Sequence, residues 1–97
     1  MRKKKNHHFE TKVIHAGQKS DPTTGAVMTP IVLASTFEQS SPGVHKGYDY
    51  SRSINPTREA FENCIADLEN GYKGYGFSSG VAAISACVEL LSPGDHI

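Results

Sequence analysis

The sequence predicts an α/β protein in which an extended N-terminal arm precedes a helix–strand–helix unit. Turn-forming residues and short apolar pieces fill the first half of the chain, whereas dense apolar clusters at helical spacing fill the second half. A short aromatic run, typical of a strand, separates the two helical clusters. We therefore divide the chain into an arm, residues 1–52, and the start of a larger domain, residues 53–97.

A short helix is predicted near the beginning of the arm. Phe9, Val13 and Ala16 are apolar, recur at helical spacing and are followed by a glycine that offers a C-terminal stop. This pattern predicts a helix over residues 9–16, which is too short to cover much surface. The basic residues 1–8 lack the apolar region of an export signal, so we expect a solvated, frayed terminus.

The remainder of the arm is predicted to be extended and irregular. Residues 20–26 are dense in turn formers. Residues 28–43 mix β-branched side chains with Pro30 and Pro42, a combination that suits an extended chain better than a packed helix. We expect this part of the chain to bury little apolar surface of its own.

An amphipathic helix is predicted over residues 56–70. Asn55 offers an N-cap, and Pro56 stands where a helix tolerates proline best. Apolar residues then recur on one face, which we expect to be buried. These residues are Ala60, Phe61, Cys64, Ile65 and Leu68. Gly71, which follows Asn70, is predicted to be the left-handed residue that ends the helix.

A short strand and a second helix are predicted next. Residues 73–80, KGYGFSSG, form a strand-like run that ends in a Ser-Ser-Gly turn. Residues 81–91, VAAISACVELL, are apolar on nearly every face, which is typical of a helix buried inside a larger body. We expect the core to lie mostly in residues 53–97, with Cys64 and Cys87 as small, reduced core residues.

Composition argues against several classes of function. The 97 residues include ten basic and ten acidic side chains, and this balance argues against a general nucleic-acid binder. The longest apolar run is far shorter than the ~20 residues of a membrane span, which indicates a soluble protein without a membrane partner. Without an export signal or paired cysteines, the cytoplasm is the expected location. The five histidines have no metal-ligand spacing, so no metal site is predicted.

The turn before the second helix is the first of two features directed at an anion. Free backbone N–H groups and the dipole of a helix N-terminus seat a phosphate well. Gly80 lets a ligand approach the backbone closely, and Ser78 or Ser79 can add a hydroxyl donor. The same pattern is also ordinary N-capping, and these residues alone leave both interpretations open.

The second feature is the stretch YDYSR at residues 48–52. In an extended chain residues two apart share a face, so Tyr48, Tyr50 and Arg52 are expected on one side. A guanidinium offers a planar fork and a phenol adds a hydrogen bond, and together they suit a phosphate dianion. The alternative is that Arg52 pairs with a surface carboxylate beside half-buried tyrosines.

A resemblance to a known family favours the anion interpretation of both features. YDYSRSINPTR at residues 48–58 and FSSGVAA at residues 77–83 resemble the N-terminal quarter of the Cys/Met-metabolism family of pyridoxal-phosphate enzymes. KVIHAGQKSDPTTGAVMTPI at residues 12–31 is similar to an earlier motif of the same family. Its members include cystathionine γ-synthase, cystathionine γ-lyase, cystathionine β-lyase and methionine γ-lyase. The resemblance extends from Phe9 to the end of the chain.

The resemblance implies a fold, a cofactor and an assembly. It implies the N-terminal part of a fold-type I, aspartate-aminotransferase-like enzyme that binds pyridoxal 5′-phosphate and forms homotetramers built from dimers. Tyr50 and Arg52 would bind the phosphate of the cofactor in a neighbouring subunit. The backbone of Gly80 and Val81 would bind the phosphate of the chain's own cofactor. Residues 53–97 would then be the truncated start of the cofactor-binding large domain.

The resemblance also implies a lyase or transferase of methionine and cysteine metabolism that acts on a C–S bond at Cγ. The expected substrate is cystathionine, or an activated homoserine with cysteine, as in the γ-synthase and γ-lyase branch. Methionine γ-lyase and cystathionine β-lyase chemistry are the alternatives. The family's catalytic residues, including its cofactor-binding lysine, correspond to positions beyond residue 97, so we expect an inactive fragment. A non-catalytic oligomerisation segment is the other alternative.

Overall fold

A computed structural model of the chain describes residues 7–97. In chain order it contains a helix, a two-stranded antiparallel hairpin and two further helices. Their bounds are α1 Phe9–His15, β1 Gln39–Ser41, β2 Val44–His45, α2 Pro56–Leu68 and α3 Gly80–Val88. The frayed terminus predicted for residues 1–8 lies outside the described residues, except for His7 and His8, which are exposed.

Helix α1 confirms the short helix predicted in the arm and packs on α2. Gly17 has a φ of 72°, and a Cβ there would overlap the backbone of α2 at Ala60 and Cys64. Glycine is therefore required both by the left-handed conformation and by the close approach. The Nζ atom of Lys12 lies 3.5 Å from Oδ1 of Asp67 and donates to the Asp67 carbonyl oxygen at 3.3 Å. These contacts fasten the beginning of the arm to α2.

The rest of the arm is mostly irregular, as predicted, but it contains a hairpin that the sequence prediction missed. Strand β1 pairs antiparallel with β2, with Gln39 opposite His45. Pro42 and Gly43 form the turn between them, and Gly43 has a φ of 79°. Proline followed by a left-handed glycine is a common turn pair, so the signal was present in the sequence.

Helix α2 begins as predicted and ends slightly earlier. The Oδ1 atom of Asn55 accepts a hydrogen bond from the N–H of Thr57 at 2.8 Å, and proline occupies the first turn. The predicted left-handed Gly71 was wrong, because Asn70 has that conformation, with a φ of 53°. The N–H of Gly71 then donates to the carbonyl oxygen of Ala66 at 2.7 Å. This bond closes a Schellman motif, in which asparagine replaces the usual glycine.

The strand predicted over residues 73–80 does not form. Strands are stabilised by hydrogen bonds to a neighbouring strand, and no segment within residues 7–97 pairs with this one. The N–H of Gly76 donates instead to Oε1 of Glu62 on α2, at 2.8 Å. Helix α3 follows and is shorter than the predicted 81–91. None of the described helices is long and apolar enough to cross a membrane.

The core lies in the predicted half of the chain but is very small. Ala66 of α2, with 9% of its surface exposed, is the only buried residue within residues 7–97. Phe61 and Ile65 are exposed, so the predicted buried face of α2 is largely open. Helix α3, predicted to be buried inside a larger body, is largely exposed in this chain. The prediction that Cys87 is a core residue was wrong here, because Cys87 is exposed, whereas Cys64 is half-buried. The reason is that no other described helix or strand packs against α3.

Candidate functional site

The predicted residues Tyr50 and Arg52 lie where a short antiparallel pairing passes into a turn. Tyr50 forms an isolated β-bridge with Thr36 of the arm. The N–H groups of Ser53 and Ile54 both donate to the carbonyl oxygen of Tyr50, at 3.0 Å. The chain therefore leaves the extended conformation immediately after Tyr50, and Arg52 lies on the turn.

The side chains of Tyr50 and Arg52 meet, as the sequence predicted. Nη2 of Arg52 donates to the hydroxyl oxygen of Tyr50 at 2.7 Å, and its guanidinium carbon lies 5.2 Å from the ring centroid. Arg52 is exposed and has no carboxylate within 4.0 Å among residues 7–97, so the surface ion pair is not formed there. The other guanidinium N–H groups and the Tyr50 proton remain available to an anion.

Tyr48, predicted on the same face, contacts α2 instead. Its hydroxyl donates to Oε2 of Glu59 at 2.5 Å, and its ring centroid lies 5.6 Å from that of Phe37. The hydrogen bond to Glu59, followed by partial burial and the negative charge of Glu59, raises the pKa of Tyr48. Tyr48 therefore attaches the arm to α2 and is not part of the Tyr50–Arg52 pair.

The predicted N-terminus of α3 combines a cap with two free donors. The hydroxyl oxygen of Ser79 accepts from the N–H of Ala82 at 3.2 Å, and its carbonyl oxygen accepts from the N–H of Ala83 at 3.2 Å. The two remaining first-turn N–H groups, those of Gly80 and Val81, have no hydrogen-bond partner within residues 7–97. The capping interpretation is confirmed, and it is compatible with an anion site, because capping by Ser79 leaves two donors free.

The surroundings of Gly80 leave space for a ligand. A Cβ added to Gly80 would meet no other atom within 4 Å, so the packing of the described chain does not require glycine at this position. This side of the Gly80 backbone is therefore open within residues 7–97. No hydrogen bond or ion pair joins this helix terminus to Tyr50 or Arg52 in the described part of the chain.

Sequence reasoning did not single out Arg58 and Glu62, which lie between these two groups of donors. Arg58 hydrogen-bonds to the turn at residues 51–53, and Glu62 hydrogen-bonds to Gly76. The available signal was their i,i+4 spacing on a predicted helix, which is typical of an ion pair. Within residues 7–97 no group of three or more His, Cys, Asp or Glu side chains is arranged to hold a metal ion.

Comparison with known proteins identifies relatives of this chain. The family described as Cys/Met metabolism PLP-dependent enzyme matches residues 10–97. Cystathionine beta-lyase of Coxiella burnetii (strain RSA 493 / Nine Mile phase I) is 64% identical over 93 residues, which cover 96% of this chain and 24% of that relative. Cystathionine gamma-lyase of Dictyostelium discoideum is 52% identical over 98 residues, covering 100% of this chain and 25% of that relative. The chain therefore spans about a quarter of these relatives.

A solved structure gives the same result for the fold. The crystal structure of cystathionine gamma-lyase from Lactobacillus plantarum complexed with L-serine matches with a TM-score of 0.82 and 51% identity, over 93% of this chain and 23% of that one. The family resemblance and the predicted fold class, the N-terminal part of a fold-type I enzyme, are thus confirmed. The family's cofactor is pyridoxal 5′-phosphate (PLP), whose phosphate suits the free donors at Gly80 and Val81.

Proposed function

Because this chain belongs to the Cys/Met metabolism family of PLP-dependent enzymes, we propose that it is the phosphate-binding N-terminal part of an enzyme acting on cystathionine or a related sulfur amino acid. One observation carries the proposal: capping of α3 by Ser79 leaves the N–H groups of Gly80 and Val81 without partners in the described chain. PLP, when bound, withdraws electrons from an amino-acid substrate. The task of this chain is to hold and orient its phosphate.

The N-terminus of α3 is assigned to the chain's own cofactor. The N–H groups of Gly80 and Val81 donate to phosphate oxygens, and the helix dipole adds about half a positive charge at that end. Support comes from the open space at Gly80, where an added Cβ would meet no atom of the described chain within 4 Å. No residue of this chain is assigned a catalytic role, because these groups bind and orient without moving a proton.

Tyr50 and Arg52 are assigned to the phosphate of a cofactor in a neighbouring subunit. Both side chains are exposed, and no hydrogen bond or ion pair within residues 7–97 links them to the terminus of α3. An exposed and unpaired guanidinium beside a phenol is well suited to a dianion on another molecule. The arm, residues 1–52, would then reach a partner, while residues 53–97 begin the cofactor-binding domain of a cytoplasmic homotetramer.

Apolar exposure along the arm supports docking on another subunit. Four large apolar side chains in a segment without helix or strand are exposed, with Leu33 reaching 90%. The others are Val27, Met28 and Ile31. Exposed apolar groups of this kind are typical of surfaces that are buried on assembly. The second candidate function, a non-catalytic oligomerisation segment, is favoured by the same observation.

For the reaction we propose C–S bond chemistry at Cγ, on cystathionine or on an activated homoserine with cysteine, with cleavage at Cβ as the second candidate. The relative at 64% identity, named a cystathionine beta-lyase, favours Cβ, whereas the relative at 52% identity is named a gamma-lyase. Cystathionine joins a three-carbon and a four-carbon amino acid through sulfur. Elimination at Cβ releases a three-carbon keto acid, and elimination at Cγ a four-carbon one, so the products distinguish the two.

Chimeric enzymes test this proposal. In the first chimera, residues 10–97 of this chain replace the matching quarter of the Coxiella burnetii relative; only this one is called the lyase chimera below. In the second, they replace the matching quarter of the Dictyostelium discoideum relative. We expect both to retain PLP through gel filtration, as read from cofactor absorbance. The reaction itself is read from the full-length enzyme proposed here, by whether it releases a three-carbon or a four-carbon keto acid from cystathionine. Folded chimeras that retain no PLP would show that this chain does not supply the phosphate site.

A further inference from the structure

Arg58 holds the turn that carries Arg52. Its Nη1 donates to the carbonyl oxygen of Ser51 at 2.9 Å, and its Nη2 donates to those of Arg52 at 3.3 Å and Ser53 at 2.7 Å. One guanidinium thus binds three consecutive carbonyl oxygens. A lysine ammonium is a point donor on a flexible stem and does not reproduce this planar fork. The backbone that orients the Arg52 side chain is therefore fixed from α2.

Glu62, one helical turn after Arg58, extends these contacts to the segment that leads into α3. Its Oε1 lies 3.3 Å from Nε of Arg58 and accepts from the N–H of Gly76 at 2.8 Å. The side chains of Arg58 and Glu62 are 32% and 16% exposed, so solvent screens this pair less than an ordinary surface ion pair. One carboxylate oxygen of Glu62 therefore contacts both Arg58 and the backbone of the segment that precedes α3.

The segment before α3 lies close against these two residues. A Cβ at Gly74 would overlap the backbone oxygen of Glu62. A Cβ at Gly76 would lie 3.3 Å from both Cδ of Arg58 and Oε1 of Glu62, tighter than most Cβ contacts. The two glycines therefore permit an approach that larger residues would prevent. The position of the chain shortly before the Ser79 cap thus depends on the Arg58–Glu62 pair.

We propose that Arg58 and Glu62 are positioning residues that hold two phosphate-binding elements, the turn at residues 50–53 and the N-terminus of α3, in one fixed relation. This inference rests on the proposed phosphate role of both elements. Other hydrogen bonds hold the first two residues of the turn, but within residues 7–97 no other side chain binds the carbonyl oxygens of Arg52 and Ser53, and no other helix or strand packs against α3. Breaking the pair loosens both elements, which weakens binding of the phosphate more than binding of the pyridine ring.

The test uses the lyase chimera in its cofactor-free form, titrated with PLP and separately with pyridoxal, which lacks the phosphate. Arg58→Lys keeps the charge but loses the fork. Glu62→Gln keeps an oxygen acceptor for Gly76 but loses the ion pair. We expect Arg58→Lys to raise the Kd for PLP about tenfold, and the Kd for pyridoxal less than about twofold. Glu62→Gln should give a smaller change in the same direction, and both should shift the ³¹P resonance of bound PLP.

Lys12→Gln is the matched control. It removes the other ion pair that α2 forms within residues 7–97, the 3.5 Å contact with Asp67, which touches neither phosphate-binding element. Its Kd for PLP should equal that of the unmodified chimera. If both variants behave like Lys12→Gln, or weaken PLP and pyridoxal equally, the positioning role is overturned while the phosphate role stands. If the unmodified chimera does not prefer PLP to pyridoxal, the proposed function and this inference fail together.

Discussion

Arg52 donates from Nη2 to the hydroxyl oxygen of Tyr50 across 2.7 Å, and its guanidinium carbon lies 5.2 Å from the centroid of the Tyr50 ring. The two side chains form one unit, because the hydroxyl and the ring face both orient the guanidinium. Since the tyrosine oxygen accepts in this contact, its own proton stays free to donate to a third group. The arginine supplies the charge of the unit and the tyrosine its orientation.

This division of roles predicts unequal effects of two substitutions in the lyase chimera. Arg52→Ala removes the charged donor and should raise the Kd for PLP about tenfold or more. Tyr50→Phe keeps the ring and removes one neutral hydrogen-bonding group, so we expect a rise of about three- to fivefold. Titration of the cofactor-free chimera measures both. Lys46→Ala, which removes an exposed cation beyond the hairpin, is the control. If Arg52→Ala changes the Kd for PLP no more than Lys46→Ala does, Arg52 does not bind the phosphate.

Gly80→Ala separates ligand access from stability. The added methyl group meets no atom of the described chain within 4 Å, and alanine favours a helix more than glycine does, so thermal stability should not fall. The same methyl lies beside the free N–H groups of Gly80 and Val81, so the Kd for PLP should rise about tenfold. Calorimetry and cofactor titration of the lyase chimera give the two values.

Gly71→Ala provides the comparison for that glycine. A Cβ at Gly71 would lie 3.6 Å from the carbonyl oxygen of Ala66, an ordinary contact, and the residue lies at the end of α2, outside the phosphate site. Its affinity for PLP should match that of the unmodified chimera. An undiminished affinity in Gly80→Ala as well would mean that the phosphate does not approach α3 at this point.

Signals contained within a few residues predicted the structure well. The Asn55 cap, the proline after it and the Ser79 cap each depend on contacts within one helical turn, and all three formed. The left-handed residue that follows α2 was misplaced by one position, because both asparagine and glycine adopt that conformation and the sequence presents them side by side.

Features that depend on distant partners were not predictable in this way. The strand expected over residues 73–80 and the burial of Cys87 both need packing partners that the described residues do not supply. In the candidate site, Tyr50 and Arg52 meet as predicted, although Arg52 lies on a turn and not in the extended chain from which the prediction was made. Nothing in the sequence indicated that Tyr48 hydrogen-bonds to Glu59 or that Arg58 hydrogen-bonds to the turn. Those contacts depend on where α2 lies relative to the arm.

Asn55 joins the arm to α2 by more than its cap, and two substitutions should separate these roles. Its oxygen accepts from Thr57, while its Nδ2 donates to the carbonyl oxygen of Val32 at 3.1 Å and to Oγ of Ser51 at 3.0 Å. Asn55→Asp keeps the cap but loses both donors, and should lower the free energy of unfolding by about 1–2 kcal/mol. Asn55→Ala also loses the cap and should cost about 1 kcal/mol more.

Urea denaturation of the lyase chimera measures these differences. Asn63→Ala, at an exposed asparagine in the middle of α2, is the control and should be neutral or slightly stabilising, because alanine favours a helix. Equal losses for Asn55→Asp and Asn55→Ala would show that the cap contributes nothing. A stability of Asn55→Asp equal to that of the unmodified chimera would show that the bonds to the arm are dispensable.

Acid should release the turn that begins at Asp21. The hydrogen bonds from Thr24, led by its backbone N–H at 2.7 Å, and a further one from the N–H of Thr23 lower the pKa of Asp21 below its ordinary 3.8. Because the folded turn favours the carboxylate, its stabilisation is fully present above that value and is lost as pH falls through the lowered pKa. We expect the Thr24 amide resonance to titrate below pH 3.8 in the full chain. Asp21→Asn keeps a hydrogen-bond acceptor that does not titrate, so it should abolish this pH dependence. If the Thr24 resonance still titrates in Asp21→Asn, another group causes the change.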